Sequence, residues 1–327
     1  MSALAGKSIL ITGGTGSFGN AFCKEVLKSH DPRRVVVFSR DELKQYHMKE
    51  NFKDDRLRWF IGDVRDSDRL EMALSNIDFV VHAAALKQVD TAEYNPFECI
   101  ATNVLGAENL IRASIQCGVS RVVALSTDKA SSPVNLYGAS KLCADKLFVA
   151  GNSYATHGKT RFSVVRYGNV AGSRGSVVPH FQSLAATGEL PITDPQMTRF
   201  WITLSQAVQF VVSSFEIMSG GEIFVPKIPS VRVVDIATAV NPKANHLIVG
   251  IRPGEKIHEE MISENEAYRT YDLGDRYVIS PVQFPATHER LRKAGVAVGA
   301  NFRYQSHENE HFLSVEAISD SLLSLHD

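Results

Sequence analysis

Cysteine is sparse: Cys23, Cys99, Cys117 and Cys143 are the only four in a chain of 327 residues. They lack both the even spacing of a disulfide framework and the short intervals of a metal-ligand set, which suits a reducing compartment. Three of them fall within helical patterns, as packing residues would. Charge imbalance is missing as well. With 35 Lys and Arg against 36 Asp and Glu, the formal charge is −1, so nothing draws the whole chain toward nucleic acid or an anionic membrane, and any attraction for an anion must be local. No apolar run approaches the roughly 20 residues that span a bilayer. Signal-peptide pattern, low-complexity linker and internal repeat are also absent. The expectation is a soluble cytoplasmic protein with no membrane or nucleic-acid partner, long enough for one two-lobed unit with a large core.

The clearest local pattern lies near the amino end. Lys7-Ser8-Ile9-Leu10-Ile11-Thr12 is a short apolar run that enters Gly13-Gly14-Thr15-Gly16-Ser17-Phe18-Gly19, after which Ala21, Phe22, Val26 and Leu27 recur at helical spacing. Strand, glycine turn and helix in that order form a dinucleotide site. The glycines permit a tight turn and close backbone approach, and the helix amino terminus receives the pyrophosphate. A glycine-rich string alone is weak; its place at the first turn of an alternating chain gives it meaning. Gly13, Thr15, Gly16, Ser17, Phe18 and Gly19 are assigned to the cofactor.

The next strand, Arg34-Val35-Val36-Val37-Phe38, ends in Ser39-Arg40, where the adenosine ribose should lie. An acidic residue there suits the 2′-hydroxyl of NAD, and a cation suits the 2′-phosphate of NADP. NADP is therefore expected, with Arg40 as phosphate partner, Lys44 as a second cation and Ser39 beside them. Asp41 turned inward would reverse this preference. Two further strand ends complete the pocket: Asp63 and Val64, with Asp63 toward the adenine amino group, and the small residues Ala83, Ala84 and Ala85. His82 ends an apolar strand and reads as structural.

A second cluster carries reactive groups. Arg121-Val122-Val123-Ala124-Leu125 reads as a buried parallel strand, which places Thr127, Asp128 and Lys129 at its carboxyl end, where open α/β sheets bind ligands. Tyr137 and Lys141 follow one helical turn apart, on one face of a helix. A phenol is a poor base at neutral pH, and Lys141 is the cation expected to stabilise its phenolate. Tyr-x-x-x-Lys is by itself a common surface pair; the neighbouring cofactor pattern raises it to a candidate active site.

Together these patterns resemble the extended short-chain dehydrogenase/reductase superfamily. Ala83 to Lys87, Thr127-Asp128-Lys129, Leu136 to Lys141, Arg166 to Val170, Met197 to Ile202 and Ile251 to Lys256 are similar to one branch, the soluble C5-inverting UDP-N-acetylglucosamine 4,6-dehydratases, which open the pseudaminic acid pathway of flagellin glycosylation. The resemblance implies an α/β fold: a Rossmann-type doubly wound parallel sheet over 1–168 and a smaller mixed α/β substrate-binding lobe over 169–327, with segments near 203–225 returning to the first. It implies a homo-oligomer, with helices at 95–118 and 134–157 as interface faces. Among substrate contacts it implies Arg199 and Arg252 on a diphosphate, Glu255 on the ribose, Asn169 near the phosphates or sugar, Lys87 on the sugar, and Val177 and Val178 as pocket wall, although a core role fits the valines nearly as well.

Dehydration at C6 requires an acidic C5 proton, which transient oxidation at C4 provides. Tyr137 is expected to act on the C4 hydroxyl with Thr127 and Lys141 in support, Lys129 to take the C5 proton, and Asp128 to protonate the departing hydroxyl. The base role predicts a Lys129 pKa lowered by Lys141 and the nicotinamide; the acid role predicts an Asp128 raised by burial. Retaining relatives carry glutamate where Lys129 stands, and membrane-anchored relatives usually carry methionine in place of the tyrosine. By resemblance, Tyr137 then returns a proton to C5 from the opposite face. Two alternatives remain: a UDP-sugar 4-epimerase, which needs no Asp128-Lys129 pair, and a non-catalytic NADP-binding sensor. His307-Glu308-Asn309-Glu310-His311 matches a zinc-peptidase pattern but sits in a polar tail, and no metal is assigned.

Overall fold

The computed structural model describes residues 2–155, 159–173 and 175–323. Six short runs rich in valine and isoleucine form parallel strands: β1 (Ser8–Thr12), β2 (Arg34–Ser39), β3 (Leu57–Ile61), β4 (Phe79–His82), β5 (Arg121–Thr127) and β6 (Arg161–Tyr167). They lie in the order β3-β2-β1-β4-β5-β6. Their near-continuous hydrophobicity follows from helices on both faces. Helices Ser17–Ser29 and Leu204–Ile217 pack together, as do Ser67–Leu74, Gly106–Gln116 and Leu136–Tyr154. The order reverses between β1 and β4, so a crevice opens at the carboxyl ends of these strands.

The sheet continues past β6. Ile223–Pro226 pairs parallel with β6, and Arg276–Ile279, Thr270–Asp272 and Val296–Ala297 extend it antiparallel. A separate core, containing Phe181, Leu190, Trp201, Ile236 and Ile318, lies among helices Val177–Leu184, Val233–Val240 and Val315–Leu323. Cys23 and Cys99 are buried, whereas Cys143 is exposed on its helix, contrary to the packing role expected of it.

One local irregularity serves the crevice. Between helices Pro96–Ile100 and Gly106–Gln116 the chain makes a π turn, Ala101–Leu105, of the kind that often marks functional sites. It turns Asn103 inward, where the side-chain amide donates to the Leu86 carbonyl at 2.9 Å and to Ser140 Oγ at 2.9 Å, while its oxygen accepts from Leu86 N–H at 2.8 Å. The loop after β4 is thereby tied to the helix carrying Tyr137.

Candidate active site

A cleft of about 1140 Å³ opens at the carboxyl ends of β1 to β6. Its floor is the glycine turn. Gly13 has φ +63°, and a Cβ there would lie 2.9 Å from the backbone of Ala83 and Ala84, so only glycine allows the two strand ends to approach. A Cβ on Gly19 would come within 2.2 Å of the Gly14 carbonyl oxygen, so the helix starts directly against the turn. Its first turn holds no acidic residue, which leaves the helix amino terminus clear for an anion. Thr12 Oγ1 accepts from Ala83 N–H and Ala84 N–H, both at 3.2 Å, and pairs with His82 Nδ1 at 2.8 Å. Burial drives the His82 pKa down to about 3, fixing it as a neutral structural group. These features fit a dinucleotide.

At the end of the cleft beside β2, Ser39, Arg40, Lys44 and Asp63 line it. Asp41 is committed elsewhere: its carboxylate caps helix Glu42–Asn51 by accepting Lys44 N–H at 2.9 Å, and it pairs with Lys44 Nζ at 2.7 Å. Arg40 stays half-exposed, 3.5 Å from Asp63. Asp63 is also held by Arg65 at 2.6 Å. Arg40→Ala is expected to weaken NADP binding about tenfold, the low end for a charge-assisted hydrogen bond at an exposed position, with NAD binding unchanged. Parallel titrations of the two nucleotides measure this.

The reactive residues converge on the same cleft. Asn135 caps helix Leu136–Tyr154 by accepting Gly138 N–H at 2.7 Å, which sets Tyr137 in the first turn and Lys141 one turn on. The Asn135 amide also donates to the Gly254 carbonyl at 2.7 Å, fastening the Arg252–Glu255 loop beside the tyrosine. Thr127 Oγ1 donates to Asp128 Oδ1 at 2.9 Å, and Lys129 Nζ reaches that oxygen at 3.2 Å. Asp128 is 1% exposed, and burial, aided by Glu259 against the pull of Lys129, raises its pKa. This is the direction an acid role needs.

Lys129 departs from expectation. Burial works against its charge, but the carboxylates of Asp128 and Glu259 outweigh burial and raise its pKa. The cations thought to depress it are not its close partners, because Lys141 Nζ donates to the Leu125 carbonyl at 2.7 Å. Lys129 rests as an ammonium. The Tyr137 phenol is pushed up to about 12 by burial, and the cation pulling it back is Lys129, helped by a hydrogen bond with Thr127, rather than Lys141. Burial lowers the Lys141 pKa, opposed by Asp145, which accepts from Ser126 Oγ at 2.8 Å.

Lys87, Asn169, Arg252 and Glu255 line the cleft. Arg252 and Glu255 pair with each other at its mouth. Asn169 Oδ1 is buried with no hydrogen-bond partner among the described residues, an acceptor suited to a ligand hydroxyl or amide. Three expected contacts lie elsewhere. Arg199 is 9% exposed and is not among the lining residues; its guanidinium donates to the carbonyls of Thr198, Lys256 and Ile257, which spends the donors intended for a diphosphate. Val177 and Val178 pack against the second core instead of the cleft. Sequence analysis missed Glu259, Asn103 and Asp145. The adjacent acids Glu259-Glu260, followed by the apolar Met261-Ile262, were the available signal for Glu259.

The pattern of the polysaccharide biosynthesis protein family matches residues 9–281. The chain belongs to this family. Among relatives of this chain, one from Campylobacter jejuni strain 81-176, named UDP-N-acetylglucosamine 4,6-dehydratase (inverting), is 53% identical over 323 residues, 96% of this chain and 97% of its own length. A Rickettsia bellii protein named UDP-glucose 4-epimerase is 40% identical, with 98% and 96% covered. The crystal structure of Pen from Bacillus thuringiensis superposes with a TM-score of 0.90 at 35% identity, over 99% of both chains. The Rossmann-type α/β architecture is thus shared with that structure over 99% of both chains.

Proposed function

We propose that this protein is an NADP-dependent, C5-inverting UDP-N-acetylglucosamine 4,6-dehydratase, a hydro-lyase forming UDP-2-acetamido-2,6-dideoxy-β-L-arabino-hex-4-ulose as the first step of pseudaminic acid synthesis. The observation that carries the proposal is the Asp128-Lys129 pair facing the same cleft as Tyr137 and Lys141. An epimerase or a cofactor sensor has no use for that pair. The 53% identity to the Campylobacter dehydratase supports the same assignment.

Gly13, Gly16 and Gly19 would cradle the cofactor pyrophosphate, and Arg40 the 2′-phosphate. Bound NADP would accept hydride from C4 and return it to C6. Tyr137, in its phenolate form, takes the C4 hydroxyl proton, with Thr127 hydrogen-bonded at that oxygen. Lys129, in its neutral form, takes the C5 proton while Asp128 protonates the leaving C6 hydroxyl. Tyr137 then delivers its proton to C5 from the opposite face, and proton transfer from Lys129 to Asp128 restores the pair. Arg252 and Glu255 would hold the UDP portion. The exposed rings of Tyr94 and Phe97, 87% and 84% accessible, suit burial between copies of the chain in a homo-oligomer.

Incubation with UDP-N-acetylglucosamine in heavy water, with and without added NADP, tests the proposal by proton NMR. The expected product is a 6-deoxy-4-keto sugar with deuterium at C5 and inverted configuration. Retained C5 configuration would overturn the Tyr137 step. A C4 epimer retaining its C6 hydroxyl would establish the second reading, an epimerase, which the Rickettsia relative's name favours.

A further inference from the structure

Glu259 is 2% exposed and lies behind Lys129, not among the residues lining the cleft. Its Oε1 accepts from Lys129 Nζ at 2.9 Å and lies 3.8 Å from Arg199 Nε. Its Oε2 is buried with no hydrogen-bond partner among the described residues. The backbone is fixed on both sides, since Glu259 N–H donates to Ser306 Oγ at 2.9 Å and Ser306 N–H donates to the Glu259 carbonyl at 2.8 Å. A buried carboxylate with one oxygen unsatisfied is a poor way to gain stability. It is an effective way to place a fixed negative charge.

We propose that Glu259 is a positioning residue whose carboxylate, acting through Lys129, sets the proton affinity of the Asp128-Lys129 pair and hence the pH window of elimination. The inference rests on the dehydratase reading for its consequence, but not for its geometry. Lys129 lies between two carboxylates. With Glu259 as its counter-ion, the ammonium does not require Asp128 to be ionised, and Asp128 stays available as a carboxylic acid. The same charge makes proton loss from Lys129 harder, so both proton affinities rise together; the raised pKa values of both groups agree in sign. The pair exchanges protons as a unit, so its two limbs belong to the pair.

The other charged and titratable groups facing this cluster are few. Arg199 and Lys256 are cations that oppose Glu259, and Tyr137 faces the pair from the helix. Glu260 accepts from Ser131 and Ser132 at 3.0 and 2.7 Å, and His258 pairs with Thr198 at 2.8 Å. Lys256 donates to the Ser131 carbonyl at 2.7 Å and carries the charge opposite to that of Glu259. It supplies a control of opposite sign.

The test is the pH dependence of single-turnover elimination in the full-length protein, beside an infrared titration of the Asp128 carboxylic-acid band, assigned with Asp128→Asn and recorded without substrate. In Glu259→Gln both limbs should move to lower pH by about one unit or more, the size expected for losing a charge this close. The Asp128 band should disappear at correspondingly lower pH. Lys256→Met should shift both limbs upward, and it decides the matter should Glu259→Gln fail to fold. A reduced rate with unmoved limbs and an unmoved infrared titration would show that Glu259 merely props the lysine, overturning the proposal. If the wild-type protein releases no 6-deoxy-4-keto sugar, the dehydratase reading fails, and the infrared titration alone decides for or against Glu259.

Discussion

Lys129→Ala is expected to lower water elimination from UDP-N-acetylglucosamine by about 10²–10⁴-fold, the usual contribution of a positioned acid or base, while NADP affinity stays the same. The cofactor and amine sites share the cleft but not their contacts. The glycine turn and Arg40 lie at one end, and Lys129 is bonded to Asp128 and Glu259. Single-turnover NMR of the sugar and a nucleotide titration separate the two effects. Removal of the amine also leaves the buried Glu259 carboxylate without its nearest cation. Stability should therefore fall by about 3–5 kcal/mol, as when one partner of a buried pair is deleted. Glu259→Gln introduced into Lys129→Ala should recover much of that loss without recovering turnover. Denaturant unfolding reads the first effect and NMR the second; unaffected elimination in Lys129→Ala would remove the lysine from the mechanism.

Gly138→Ala should reduce turnover by at least about 100-fold without any reactive atom being removed. A Cβ at Gly138 would lie 2.2 Å from the Lys129 carbonyl oxygen, a backbone atom that has no flexible side chain to yield. The helix bearing Tyr137 and the turn bearing Lys129 must then separate. A misplacement of about 1 Å in a reacting group can cost about 10²-fold. Both half-reactions should suffer, which distinguishes this variant from Lys129→Ala, where elimination alone fails. Wild-type rates in a folded Gly138→Ala protein would mean that the two segments need not touch during catalysis.

The sequence made the local parts of this site visible and hid those that depend on distant packing. Gly13 to Gly19 announce themselves because strand, turn and helix are contiguous, and Tyr137 and Lys141 share a helix face by spacing alone. Arg199 was placed on a substrate by resemblance, but its guanidinium is consumed by carbonyls of residues 198, 256 and 257, a consequence of loop packing that no spacing encodes. Val177 and Val178 fit either a pocket wall or a core, and only the second core distinguishes the two. Glu259 reaches Lys129 across a sequence separation of 130 residues, and without that carboxylate the direction of the Lys129 pKa was read backwards.

Among the described residues, the carboxyl-terminal segment lines none of the cleft, yet it bears on the chemistry. Ser306 clamps Glu259 from both sides of its peptide and pairs with Thr198 at 2.7 Å, and the Tyr304 hydroxyl donates to the Ile228 carbonyl at 2.9 Å. A tail exchanged between two relatives would therefore carry acidity with it, transplanting an optimum pH along with a stretch of chain that holds no reacting group. Variation in this remote segment gives descendants a means to retune the enzyme for a more acidic or more alkaline milieu while every residue facing the sugar stays the same.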